Sequence, residues 1–142
     1  MLVIEALSRM IKSKQNNGHI MGLKVSKGSR LNHLMFVDDV FMMGTNTLEE
    51  WNRYRRIIKS FRSASRLEIN FQKSKLYFNM AEKDLIVSIE NIFGIGSAHI
   101  DSRLKYLGFF LKPNDYRVSD WRFLVQKIEK KLGHWSSHWL SL

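Results

Sequence analysis

Cysteine is absent from this chain. Its absence excludes disulfides, thiolate metal sites and cysteine nucleophiles, and it fits a reducing compartment, so an intracellular setting is expected. One proline and eight glycines among 142 residues leave no room for a long linker, and no internal repeat or low-complexity tract stands out. No apolar stretch approaches the roughly 18 residues of a membrane span, so no membrane partner is expected. Glu5 and Arg9 interrupt the short apolar run at the N-terminus, which does not read as a signal peptide. Acidic residues are few: 13 Asp and Glu stand against 23 Lys and Arg, a net charge of +10. That excess favours a polyanionic partner such as nucleic acid, the alternative being a merely soluble basic surface.

What is present suits a folded domain. A 44% hydrophobic and 25% charged composition is globular, and at this length about two-thirds of the surface exposed by the unfolded chain can be buried. The most informative local feature is Asp38-Asp39, set between the apolar runs Leu34-Met35-Phe36-Val37 and Val40-Phe41-Met42-Met43. Both runs have strand length, and a two-residue connection is hairpin length. The expectation is a β-hairpin, arms Leu31 to Val37 and Val40 to Met43, with two carboxylates at its tip. Asp is also an ordinary turn residue. Adjacent carboxylates are, however, the means by which polymerases hold Mg²⁺.

Helical spacing of Ala6, Leu7, Met10 and Ile11 predicts a helix over 1–14. Alternation of Met21, Leu23 and Val25 predicts a short strand, and Lys27-Gly28-Ser29 a turn. Thr47-Leu48-Glu49-Glu50 reads as a capping box opening a helix to about Ala64. Leu48, Trp51, Tyr54, Ile58 and Phe61 line one face of that helix. Arg53, Arg55, Arg56, Lys59 and Arg62 fill much of the rest, as a nucleic-acid face or simply a solvated one. Leu67 to Phe71 and Leu76 to Phe78 are strand candidates around Gln72-Lys73-Ser74-Lys75. Glu82 to Phe93 reads as a helix stopped by Gly94, Tyr106 to Leu111 as a strand, and Pro113-Asn114-Asp115 as a turn. Ser119 is expected to cap a last helix, with Asp120 favourable to its dipole. The helix carries a core stripe of Trp121, Leu124, Val125, Ile128, Leu132 and Trp135, with Lys127, Lys130 and Lys131 on other faces. His134 and His138 lie one turn apart but lack a third ligand, and they read as ordinary surface or packing residues.

In order, these segments resemble the reverse transcriptase of plant non-LTR (LINE-type) retrotransposons, nearly end to end. Leu2 to Arg9 is similar to the helix that follows the family's Gln-Gly-Asp-Pro-Leu-Ser-Pro motif. Phe36-Val37-Asp38-Asp39 resembles its Phe-Ala-Asp-Asp metal-binding box. The run from Leu67 to Lys75 is similar to Gly-Leu-x-Ile-Asn-x-x-Lys-Ser, and Tyr106-Leu107-Gly108 to the Tyr-Leu-Gly motif that supports the primer end. Trp121 onward is similar to the first thumb helix.

The resemblance implies an α+β fold: a partial polymerase palm over 1–112, an antiparallel hairpin with packed helices, then the start of the thumb over 113–142. It implies nucleotide addition with two Mg²⁺ ions, Asp38 the principal ligand and Asp39 the weaker one, acting on RNA template and DNA primer. Lys73 matches the lysine that assists departure of pyrophosphate, or is an ordinary turn lysine. Tyr106, Leu107 and Gly108 match the primer support, or an ordinary core strand. The departures are also informative. The family's fingers and its upstream aspartate strand have no counterpart here, so polymerisation by this chain alone is not expected, and the hairpin is left with an unpaired edge. Arg66 and Lys112 stand where the family usually has Gly, and Val37 where it has Ala. Arg66 is strained if its position requires positive φ. Such departures suit a decayed or truncated copy. The alternative of another class is a non-catalytic basic remnant that binds nucleic acid.

Overall fold

The computed structural model describes residues 2–102, 104–111 and 116–139, with residues 2 and 134–139 described through their backbone alone. The chain is a mixed α+β protein of helices and small antiparallel sheets. It forms two compact units, 1–98 and 99–142. The expected palm–thumb boundary at 112/113, Lys112 and the Pro113–Asp115 turn lie outside the described residues.

The first unit opens with α1 (Leu2–Asn16). Two hairpins follow: β1 (Leu23–Ser26) with β2 (Ser29–Leu31), and β3 (His33–Phe36) with β4 (Asp39–Met42). Next come α2 (Leu48–Ser65), β5 (Leu76–Phe78), α3 (Lys83–Phe93) and β6 (Ser97–His99), which pairs with β5. The core forms where the apolar stripes of α1 and α2 meet: Leu7, Ile11, Ile20, Tyr54 and Ile57 are buried, with Met10, Met35, Met42, Trp51, Phe61 and Phe93 packed around them. The inward position of α2 is Ile57 rather than the expected Ile58, which is half-buried. Trp51 stacks at 5.5 Å from Tyr54 and meets Phe93 edge-on at 6.1 Å, joining α3 to this core. Gly94 ends α3 at φ 67°, the left-handed stop that its sequence foretold.

Three expectations are corrected in this unit. The hairpin tip is Val37-Asp38, because Phe36 pairs with Asp39; the tip lies one residue earlier than expected, and each cross-strand partner is displaced by two. Leu67 to Phe71 form no strand. Asn70 instead organises a turn, its carbonyl and side-chain oxygen accepting from the Lys73 amide at 3.2 and 3.1 Å and its carbonyl also from the Ser74 hydroxyl at 2.9 Å. The capping box is not made either: Thr47 occupies the N-cap position of α2 without a side-chain cap bond, and Glu50 is engaged elsewhere.

The second unit holds β7 (Lys105–Tyr106), β8 (Phe109–Phe110), a 3-10 turn Val118–Trp121 and α4 (Arg122–Trp139). The expected strand over 106–111 is a tight hairpin. Leu107 and Gly108 form its tip with φ of 50° and 87°, the two positive values of a type I′ turn. Ser119 lies inside the 3-10 turn rather than capping α4. Phe123 packs edge-on against Phe109 and Phe110 at 6.3 and 5.7 Å. This turns the expected core stripe outward, so that Val125, Ile128 and Leu132 are 51%, 49% and 59% exposed. The side chains of Trp135, His134 and His138 lie outside those described.

Candidate functional site

The hairpin β3–β4 presents the two aspartates. Its pairing puts His33, Met35, Val40 and Met42 on one face, and Leu34, Phe36, Asp39 and Phe41 on the other. Met35 and Met42 pack on the core, so Asp39 stands on the outward face opposite Phe36, and Asp38 in the turn. Both carboxylates are exposed. Between them and Phe36 stands Val37 at φ 55°. Positive φ at the first of two tip residues is the II′ pattern, made for glycine and unusual for a β-branched residue.

The base of this hairpin is tied down from two sides. The Tyr54 hydroxyl of α2 lies 3.0 Å from the Asn32 carbonyl and 2.7 Å from the Met43 carbonyl, while the Met43 amide donates to Asn32 at 2.8 Å. Burial, reinforced by the charge of Glu50, pushes the Tyr54 phenol far above its ordinary value, so it serves as a neutral donor. From α1, Ser8 lies 2.8 Å from His33 Nε2; His33 Nδ1 lies 2.5 Å from Asn32 Oδ1, and the Asn32 amide donates to Gln15 at 2.7 Å. With Asn32 accepting, Nδ1 carries the proton and Nε2 accepts from Ser8. Burial first, then the nearby charge of Lys12, lower the His33 pKa below its usual value, with Glu5 opposing. Because Ser8 is buried, this relay acts as a clasp between α1 and β3.

Asp38 and Asp39 are the donors this hairpin offers to the two Mg²⁺ ions that the resemblance implies. Among the described residues no group of three or more His, Asp or Glu side chains converges as a metal site. Mg²⁺ demands near-octahedral oxygen ligation, so two adjacent carboxylates fit as part of such a site and not as the whole. The strands before Asp38, β1 and β2, carry no aspartate, and β3–β4 is a two-stranded sheet with unpaired edges.

The other anticipated residues are dispersed. Lys73 is exposed in the Asn70 turn. Tyr106, Leu107 and Gly108 belong to the hairpin of the second unit. On α2, Arg53 is committed to the structure: its guanidinium donates to the His19 carbonyl and to Glu49, each at 2.5 Å. Arg55, Arg56 and Lys59 are exposed on one side of α2, as are Lys127, Lys130 and Lys131 on α4; spacings of three and four residues cluster each set.

Glu50 is the residue whose role the sequence disguised. It is 3% exposed, yet charged and satisfied. Its Oε1 accepts from the amides of Met21 and Gly22 at 2.7 and 2.8 Å; its Oε2 accepts from the Thr45 amide at 2.7 Å and from the Thr45 hydroxyl. Burial alone would raise its pKa, but the four donors outweigh burial and hold the carboxyl below its ordinary value. Gly22 is needed there: at φ 66°, a Cβ would come within 2.6 Å of the Leu31 carbonyl oxygen. The only sequence signal was the capping-box spacing, and it pointed to a local bond instead. No family model matches the chain, and no solved structure matches it.

Proposed function

We propose that this chain is part of the palm, with the start of the thumb, of an RNA-directed DNA polymerase of the non-LTR retrotransposon type, with β3–β4 as its metal hairpin. The observation that carries the reading is the pair of exposed carboxylates, Asp38 in the turn and Asp39 beginning β4, on a hairpin pinned by Tyr54 and the Ser8–His33 clasp. The four motif resemblances in order are its other support. Bound Mg²⁺ would stabilise charge on the attacking and leaving oxygens of nucleotide addition. Asp38 and Asp39 would supply two of its oxygen ligands, the remainder coming from other segments and from substrate phosphates. With only these two, the 142-residue chain by itself is expected not to extend a primer.

The test uses Mn²⁺ as a paramagnetic stand-in, added to the chain with an RNA–DNA primer–template. Selective broadening of the amide resonances around residues 36–40, lost in Asp38→Asn, is the expected result. Broadening centred elsewhere, or unchanged in Asp38→Asn, overturns the metal-hairpin reading. Template-dependent extension that Asp38→Asn abolishes would overturn the expectation of inactivity.

A second reading is a basic nucleic-acid-binding remnant without catalysis. Its specific support is the exposure of Arg55, Arg56 and Lys59, and of Lys127, Lys130 and Lys131. Affinity for duplex DNA should then fall with log salt at a slope of about −0.9 per phosphate contacted. Reversing the charges at 55, 56 and 59 without loss of affinity counts against the α2 face.

A further inference from the structure

The second unit contains a pocket of about 330 Å³, at the small end of ligand sites, lined by Tyr106, Phe109, Tyr116, Trp121 and Phe123 together with Asp120. The rings are held in place rather than loosely clustered. The Tyr116 hydroxyl donates to the Phe110 carbonyl at 3.0 Å. Tyr116 lies tilted against Trp121 at 5.3 Å, and Phe109 meets Trp121 edge-on at 6.1 Å. Despite these contacts the walls stay open: Tyr116, Trp121 and Phe109 are 43%, 39% and 40% exposed. Preformed, exposed aromatic faces select either a flat heterocycle by stacking or a cation by its attraction to the rings.

Charge decides between these occupants. Asp120, which accepts from the Arg117 amide at 2.8 Å, is the one acidic lining residue among those described and is outnumbered by the cations of the same segments. The surroundings are basic: the Lys105 ammonium lies 5.9 Å from the centroid of Phe110, a lining ring, while Arg117 and Arg122 are exposed in the segment that carries Tyr116 and Trp121. Cationic side chains repel a second cation and attract phosphate. We infer that the pocket receives an unpaired nucleobase of a single-stranded nucleic acid, stacked on Trp121 and Tyr116, with Lys105, Arg117 and Arg122 supplying phosphate contacts. The partner class is shared with the basic-face reading above, but the contact is a base rather than the backbone. The pocket shares Tyr106 and Leu107 with the primer support that the resemblance assigns, but the contact inferred here is a base stacked on Trp121 and Tyr116.

The ligand supplies the cleanest control. Anisotropy titrations compare the full chain on a short oligothymidylate, on an abasic strand of the same length and charge, and on a duplex, at one salt concentration. The abasic strand should bind about tenfold or more weaker, the loss expected when base–aromatic stacking is removed. Trp121→Ala should impose the same loss on oligothymidylate while leaving duplex binding and its salt slope unchanged. Trp121→Phe, which keeps a ring, should retain most of the affinity, with circular dichroism showing both variants folded. Equal affinity for the abasic and thymidylate strands overturns the proposal, whatever the variants do, as does failure to bind oligothymidylate at all. Displacement of oligothymidylate by a trimethyllysine peptide overturns it in favour of a cation cage. The two nucleic-acid readings fail separately: charge reversal on α2 without effect removes the basic face and leaves the base preference standing.

Discussion

A buried carboxylate surrounded by four donors, as at Glu50, is committed to its charged form. Because the folded state lowers its pKa, the stabilisation is complete above the unfolded value and is lost as pH falls through the folded one. Acid unfolding should therefore begin as the medium drops below about pH 4.5, the ordinary glutamate range. Glu50→Gln keeps the shape but gives up the charge-assisted bonds, and should cost about 1.5–3 kcal/mol at neutral pH. Its unfolding free energy, measured by denaturant titration, should also depend less on pH in the acid range than that of the parent chain. An equal acid dependence in both would remove Glu50 as the cause. Among the described residues four side-chain-bearing positions adopt positive φ, Val37, Arg66, Met80 and Leu107, and two of them bear on stability and the candidate site. Arg66 closes α2 at φ 60° and ψ 13°, the left-handed cap that glycine favours. Arg66→Gly should therefore stabilise the chain by about 1 kcal/mol, less the loss of entropy that any glycine brings. Val37 at φ 55° is strained in the same sense, but it sits beside Asp38, where strain serves to aim a side chain. Val37→Gly should raise the thermal midpoint while weakening Mn²⁺ broadening at the hairpin; a gain in stability with unaltered broadening would make the strain incidental.

At the scale of elements, helices were legible and strands only in part: Leu76–Phe78, the arms around the aspartates and the short strand at Leu23 formed, whereas Leu67 to Phe71 and an unbroken 106–111 did not. The 3.6-residue stripes of α1, α2 and α3 span several turns, and Gly94 punctuates one end, so many residues vote for each assignment. The strands here are two to four residues long, too short for period-2 alternation to outvote local turn chemistry. Asn70 captures the Lys73 amide and converts an apolar run into a turn. Leu107-Gly108 folds another back on itself at a position where the isolated Gly was the available clue. At Asp38-Asp39 the turn preference of aspartate misled by one residue: each cross-strand partner shifts by two, so the faces of the arms are kept, but Asp39 leaves the turn and begins β4. The candidate carboxylates were thus legible as a pair and their orientation was not. The clasp beneath them was illegible for a different reason: Ser8, Asn32 and His33 come together across α1 and β3, and no local pattern encodes that meeting. It carries its own pH signature. The pKa of His33 is lowered on folding, so its share of stability is present above the unfolded value near 6.5 and fades as pH falls below it. Between pH 7 and 5 the parent chain should lose stability faster than His33→Phe, although the variant starts lower because Ser8 and Asn32 lose a partner. Parallel curves would show that the histidine does not titrate in the clasp.

For the molecule as a whole, charge and packing pull in the same direction. The buried apolar set is small among the described residues, eight side chains from Leu7 to Leu104, whereas Phe36, Val37, Val125, Ile128 and Leu132 face solvent. A net charge of +10 adds self-repulsion that opposes compaction. Both features leave the free chain modestly stable and leave room for a polyanion to stabilise it through binding. Salt should then act in opposite senses on the two states. Raising ionic strength from about 0.01 to 0.15 M shortens the Debye length from about 30 to 8 Å. That screens like-charge repulsion, so the thermal midpoint of the free chain should rise. The same change displaces the protein from duplex DNA, because each phosphate contact then competes with more counterions, so the extra stability conferred by DNA should shrink. Differential scanning fluorimetry with and without a short duplex, across that salt range, reads both trends at once. Converging midpoints, the free chain rising as the bound one falls, are the expected outcome. A free chain that loses stability with salt would mean that its basic groups are held by internal ion pairs rather than left to repel. The Lys and Arg ion pairs among the described residues, Arg9–Glu5, Arg53–Glu49 and Arg62–Glu68, are too few, and their carboxylates too solvated, to produce that result.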